Sequence, residues 1–186
     1  MSRTVFVSRV LEAIERLCPL RLADSSWDNV GLLFEALTEP STSASKVLLA
    51  NDLTAAVVDE AASRRCAMII AYHPPWFRAE KRMTVDGPLG LIARCAAQGI
   101  SIISPHTALD AVKGGINDWL LEPFVGLLEG VSAIEKCKMA TPSEEEVGVG
   151  MGRVARLSRE MNLMTALELV KTHLNLGYLR YADAGR

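Results

Sequence analysis

Residues 67–77 read Ala-Met-Ile-Ile-Ala-Tyr-His-Pro-Pro-Trp-Phe, and residues 100–110 read Ile-Ser-Ile-Ile-Ser-Pro-His-Thr-Ala-Leu-Asp. Each opens on a short apolar run of the kind a strand buried on both faces carries. Each then breaks at proline beside a histidine, His73 or His106. Between them, residues 88–98 show helical spacing and Gly99 supplies a C-terminal stop. Upstream, Lys46 to Ala50 is another buried-type strand, and Thr54 can cap a helix running to about Arg65. Strand, helix, strand, helix, strand with short links predicts an α/β fold with a largely parallel sheet flanked by helices and right-handed crossovers. Both histidine segments then open at the carboxyl edge of the sheet, where open α/β sheets place their ligands.

The flanks extend this pattern. Val7, Val10, Leu11, Ile14 and Leu17 predict an amphipathic helix stopped by Pro19. Val30 to Phe34 reads as a short strand, residues 38–45 as a loop, and Ile116 to Phe124 as a short helix. Residues 126–146 break the rhythm: Lys136, Lys138, Pro142 and Glu144 to Glu146 suggest a linker. Beyond it, Val147 to Val154 reads as a glycine-rich strand. Thr165-x-x-Glu168 has the form of a capping box, and Leu163, Leu167, Val170 and Leu174 form one helical face. Gly177 ends that helix, and Tyr178 to Ala182 reads as a final strand. The division expected is 1–125 as a first lobe, 126–146 as a linker and 147–186 as a partial β-α-β second lobe. Three elements cannot close a core alone, so this form is expected to be oligomeric or poorly soluble through its exposed apolar helix face.

Bulk properties exclude several classes. The 186 residues are 49% hydrophobic and 23% charged, an ordinary globular balance, with a formal net charge of −2. That charge offers nothing to nucleic acid or an anionic membrane. No run of 18 apolar residues suggests a membrane span. Residues 1–9 lack the apolar centre of a secretory signal. Arg3, Arg9 and Arg16 are compatible with a mitochondrial presequence, whereas Glu12 and Glu15 oppose one. Cys18, Cys66, Cys95 and Cys137 form no C-x-x-C pair and read as buried or free thiols.

The chemistry-bearing residues each admit two readings. His73, stiffened by Pro74 and Pro75, either binds a metal or caps a strand end by hydrogen bonds. Asp110 either bridges cations or serves as a turn or helix-cap aspartate. His106 either binds metal or orients Asp110. Trp27-Asp28-Asn29 has ordinary turn chemistry. Asp52 is a third carboxylate at the same edge or the cap of the next helix. His173 suits a helix C-terminus. Gly148, Gly150 and Gly152 form G-x-G-x-G, which is not a dinucleotide fingerprint. Walker A, G-x-S-x-G and H-E-x-x-H motifs are absent from the sequence.

Taken together, Ser26-Trp27-Asp28-Asn29-Val30-Gly31-Leu32, Tyr72-His73-Pro74-Pro75-Trp76-Phe77, His106-Thr107-Ala108-Leu109-Asp110, Gly115-Ile116-Asn117-Asp118-Trp119-Leu120 and Gly150-Met151-Gly152-Arg153 resemble, in this order, the Nif-three-like family (NGG-one-interacting-factor-three-like proteins). Some bacterial members are called type-two GTP cyclohydrolase homologues, and the Tyr-His-Pro-Pro form resembles the eukaryotic branch. The resemblance implies two similar α/β lobes, a dinuclear metal site (zinc, iron or manganese) and dimeric or hexameric assembly. It implies metal-dependent hydrolysis of an unknown substrate or, alternatively, transcriptional co-repression through protein partners in cytoplasm and nucleus, without direct nucleic-acid binding. Residue by residue, it makes His73 a metal ligand, Asp110 the bridging carboxylate, His106 a site-lining histidine, and Trp27, Asp28 and Asn29 the loop at the mouth. Bacterial members carry two adjacent histidines where this chain has Tyr72-His73. Members also continue past the position of Arg186 with a further histidine and glutamate, and many insert a domain where 126–146 lies. The expectation is therefore a fragment, splice product or misread gene with an incomplete site.

Overall fold

The computed structural model describes residues 5–37, 46–87, 89–137, 148–183 and 185. The central run folds as the sequence predicts. Strands β2 (Val47–Ala50), β3 (Met68–Ala71) and β4 (Ser101–Ser104) are parallel neighbours, joined by helices α2 (Ala55–Ser63) and α3 (Gly90–Gln98). Strand β1 (Gly31–Phe34) completes the sheet in the order β1-β4-β3-β2 and runs antiparallel to β4. Thr54 caps α2, its hydroxyl accepting from the Val57 N–H at 3.3 Å. Gly99 ends α3 with φ 69°, a left-handed conformation that costs glycine little. The loop expected at 38–45 lies outside the described residues.

Both faces of the central strands β3 and β4 are covered, which is why Met68 to Ala71 and Ile102-Ile103 are continuous apolar runs rather than alternating ones, whereas Leu49 of the edge strand β2 is exposed. Ile69, Ala71 and Ile102 pack with Val58, Ala61, Ile92 and Cys95 of α2 and α3. Met68 and Ile103 point the other way, onto Val7 and Ile14 of α1 (Val5–Leu17) and onto Cys18. Val10 and Leu11 join that face, but Leu17, the last residue of the helix, is 70% exposed. Cys18, Cys66 and Cys95 are buried free thiols, and burial pushes those of Cys18 and Cys95 up to about 11.

The second half departs from the sequence reading. Residues 116–124 do not form one helix: α4 (Thr107–Ala111) and α5 (Ile116–Trp119) are short, and Pro123 sits in a separate 3-10 turn, Glu122–Phe124. The stretch read as a linker carries β5 (Leu128–Ser132) and β6 (Glu135–Lys136) in its described part. Residues 138–147, with Lys138, Pro142 and Glu144 to Glu146, lie outside the described residues. The glycine-rich strand is two strands, β7 (Gly150–Met151) and β8 (Val154–Leu157), which pair antiparallel with β6 and β5 respectively. Gly150 has φ 149°, and a Cβ there would lie 2.2 Å from the Glu135 carbonyl oxygen. That close approach, not phosphate binding, accounts for the middle glycine of G-x-G-x-G. Helix α6 (Leu163–His173) is capped by Asn162, whose side chain accepts from the Thr165 N–H at 2.8 Å, so Thr165 and Glu168 are not its capping box. The helix stops before Asn175 (φ 51°) rather than at Gly177, and residues 178–182 form no strand. None of α6 is fully buried, and Leu163 is 44% exposed. Its last residue, His173, lies against Trp119 with ring centroids 4.6 Å apart.

Arg153 fastens this tail to the sheet lobe. Its side chain is only 4% exposed. It donates to Gly150 O and Gly152 O at 2.7 and 2.8 Å and to Val112 O at 3.0 Å, and forks onto Asp118 at 2.7 and 3.1 Å. Such a two-pronged ionic contact is geometrically selective for arginine. Burial pushes the Asp118 carboxyl up, but the bonds from Arg153 and the Gly114 N–H, with the nearby positive charge, hold it below the usual carboxylate range. A carboxyl lowered in the folded state stabilises above its unfolded value, near pH 4, and that stability is lost as pH falls through the folded value. We therefore predict that Arg153→Met costs about 3 kcal/mol at neutral pH. In urea unfolding, the gap between wild type and variant should narrow at pH 3; an equal gap at both pH values would count against the pair.

Candidate functional site

The parallel strands bring the two histidine segments to one edge. Past β3, the Tyr72 and His73 N–H groups donate to the Ala50 and Asn51 carbonyls, both at 2.9 Å, so the pairing with β2 continues into the loop. Pro74 and Pro75 offer no N–H and end it. Past β4, Ser104 Oγ donates to the Tyr72 carbonyl at 2.8 Å, which ties the two exits together. His106 then takes φ 32° and ψ −121° before α4 begins. A non-glycine residue holds such a conformation only where its surroundings enforce it, at a cost of about 1–3 kcal/mol.

Asp28 enforces it. Its side chain is wholly buried. One oxygen accepts from His106 Nδ1 at 2.7 Å, and the other accepts from the Thr107 N–H at 3.3 Å and from the Thr107 hydroxyl. Asp28 is thus far more than turn chemistry: it fixes the imidazole's tautomer and leaves Nε2 as the free face. Asn29 Nδ2 donates to the Trp76 carbonyl at 2.8 Å, so the Trp27–Asn29 loop is also tied to the loop after β3.

The rings meet at this edge. Centroids lie 4.7 Å apart for Tyr72–His73, 5.6 Å for Tyr72–His106 and 5.7 Å for His73–His106. The Tyr72 hydroxyl donates to Asp110 Oδ1 at 2.8 Å. Burial, that bond and the charges of Asp110 and Asp28 push the phenol further above its ordinary range, so it stays a neutral donor at physiological pH. Asp110 is otherwise placed by its own carbonyl, which accepts from Asn117 Nδ2 at 2.9 Å. His73 Nδ1 donates to Asp52 Oδ1 at 2.8 Å, and both side chains are about half exposed or more. Tyr72 and His73 line a groove of about 640 Å3 that also includes Asn51, Leu109 and Ile116.

All seven residues singled out in the sequence therefore gather here: Trp27, Asp28, Asn29, Tyr72, His73, His106 and Asp110. Sequence reasoning left Asp52 open between cap and carboxylate; Thr54 does the capping, and Asp52 supports His73. It assigned nothing to Thr107, Phe77 or Asn117. Thr107 acts through bonds to a residue 79 positions away, of which spacing gives no sign, and Asn117 through a local bond to the Asp110 carbonyl.

In chemistry, imidazole and carboxylate suit zinc, iron or manganese. In number they fall short. Among the described residues no three His, Cys, Asp or Glu side chains are arranged to hold a metal ion. Nδ1 of each histidine is already committed to a carboxylate, and one oxygen of Asp110 is bonded to Tyr72. His73 and Asp110 are at most two donors, against the four zinc prefers.

The sequence profile of the Duf34/NIF3 (NGG1p interacting factor 3) family matches residues 5–186. Among curated proteins, "NGG1-interacting factor 3" of Saccharomyces cerevisiae is 34% identical over 98% of this chain and 66% of its own length. "Protein NIF3 homolog" of Schizosaccharomyces pombe is 36% identical over 97% and 64%. A "GTP cyclohydrolase 1 type 2 homolog" of Clostridium perfringens is 34% identical over 93% and 62%. The chain thus spans just under two thirds of the length of these relatives. Among solved structures, a hypothetical protein of Staphylococcus aureus superposes with TM-score 0.72 at 23% identity, covering 94% of this chain and 66% of that one, which speaks to the fold alone. A Bacillus cereus protein related to NIF3 gives 0.57 at 35% identity over 68% and 33%.

If Asp28 holds the edge together, Asp28→Asn should lower stability by about 2 kcal/mol in urea unfolding. It should also shift or broaden the His106 Nδ1 proton resonance. A variant with unchanged stability and an unmoved resonance would show that His106 is positioned by other means.

Proposed function

Because the chain belongs to the Duf34/NIF3 (NGG1p interacting factor 3) family, we propose that the sheet edge around His73 and Asp110 supplies part of a divalent-metal site serving hydrolytic chemistry. The observation that carries this reading is the convergence of an imidazole and a carboxylate on Tyr72, in a groove at the carboxyl ends of parallel strands. Asp52 keeps the proton of His73 on Nδ1 and so leaves Nε2 as the donor atom. Asp110 keeps one oxygen free of Tyr72. His106, steered by Asp28, is placed to exchange a proton with a bound substrate through Nε2. A divalent ion, when bound, supplies activated water and polarisation of a substrate oxygen. Zinc, iron and manganese all suit these donors, and His73 and Asp110 would supply two of the ligands such an ion needs. Assembly as a dimer or hexamer belongs to the same reading.

A second reading rests on a relative. The yeast protein is called an NGG1-interacting factor, and this chain would then act through protein partners in transcriptional co-repression, in nucleus and cytoplasm. Under that reading, capture of a defined partner survives loss of metal.

Metal content measured by mass spectrometry after reconstitution decides the first reading. His73→Ala and Asp110→Ala should each lower bound metal about tenfold or more, and Tyr72→His, which adds a donor imidazole, should raise it. Unchanged metal content in both alanine variants would remove these residues from the site. Partner capture that persists in the same two variants would favour the second reading.

A further inference from the structure

The mouth of the site carries two large rings that the metal reading leaves unused. Trp27 is 57% exposed and Phe77 50%. Neither belongs to the core, yet both are held in place. Asp28, next to Trp27, is anchored in the buried contact with His106, and Asn29 bonds the carbonyl of Trp76, the residue before Phe77. The two loops are thus cross-linked directly beneath the rings. Trp27 and Phe77 lie with planes 25° apart and centroids 6.4 Å apart. Each meets the His106 ring edgewise, at 86° and 65°, with centroids at 6.0 and 5.6 Å. Two near-parallel exposed rings thus stand over a third that lies across them.

The exposed segment that follows Phe77 in the chain carries charge beside the exposed apolar side chains of Met83 and Val85. Arg78 follows Phe77, and Lys81 and Arg82 follow in the same segment. All three are exposed, and none has a hydrogen bond or ion pair with another described residue. Glu80 and Asp86 share the segment, which still retains a positive excess. Exposed aromatic faces accept flat π-systems, and adjacent unpaired cations accept phosphate. A ligand satisfying both is a planar heteroaromatic ring carrying an anionic phosphate.

We propose that Trp27, Phe77 and His106 form a stacking subsite for the base of a mononucleotide, with Arg78, Lys81 and Arg82 meeting its phosphate. The subsite adds a ligand class to the site proposed above but stands on the mouth, not on the metal donors.

The test is calorimetric titration of the full chain in chelator, which removes any metal contribution. The probes are adenosine and guanosine monophosphates, the free nucleosides and ribose 5-phosphate. At least one nucleotide should bind, and ribose 5-phosphate should bind at least about tenfold more weakly. Trp27→Ala and Phe77→Ala should each weaken nucleotide binding about tenfold, and Trp27→Phe should restore most of it. Arg78→Glu should weaken the nucleotide and leave the nucleoside unchanged. Both rings are half exposed, so urea midpoints close to wild type should accompany these losses. Ribose 5-phosphate binding as tightly as the nucleotide, full affinity in both alanine variants, or no binding of any mononucleotide would each overturn the proposal. An oligonucleotide that binds where every mononucleotide fails would overturn it too, in favour of a single strand. His73→Ala that loses metal but keeps nucleotide affinity, or the reverse, separates this proposal from the metal reading.

Discussion

The buried carboxylate of Asp28 is the contact on which the site depends. An ionised side chain out of reach of water is tolerated only when its oxygens are bonded. Here His106 and Thr107 bond both. In return, the carboxylate holds His106 in a backbone conformation that a histidine rarely adopts, fixes its ring proton and draws the Trp27–Asn29 loop across the sheet edge. Remove it and three features become free at once: the turn after β4, the tautomer of His106 and the position of Trp27.

The sheet itself was legible because its code is local. Apolar runs bounded by Pro, Gly and capping residues located β2, α2, β3, α3 and β4 to within a residue or two, and the parallel arrangement followed from the connections. The direction of β1 was not legible, because strand orientation at an edge is set by where the chain returns from rather than by composition. The tail misled for a related reason. Thr165 and Glu168 have the spacing of a capping box, but Asn162 stands three residues earlier and captures the Thr165 N–H first. Tyr178 to Ala182, with two tyrosines and a leucine in five residues, reads as a strand, yet no described neighbour offers it a ladder.

The site was half legible. Motif order singled out seven residues that lie together at one sheet edge, and the family profile agrees with the resemblance that order suggested. Spacing could show neither the pairing of Asp52 with His73 nor that of Tyr72 with Asp110, which join residues 21 and 38 apart in the chain. Tyr72 spends its proton on Asp110 and so occupies one of the carboxylate's oxygens rather than offering a lone pair of its own.

The Asp28–His106 contact also has a meaning in polymer terms. The strands of the parallel core meet across single helical crossovers, whereas this bond joins residues 78 apart. Closing a longer loop carries more entropy, though the increase is only logarithmic. The parallel core and the site therefore draw on different ranges of the chain. The core joins near neighbours, whereas the bond that bends the His106 backbone, like the pairing of β1 with β4, closes across most of the first hundred residues.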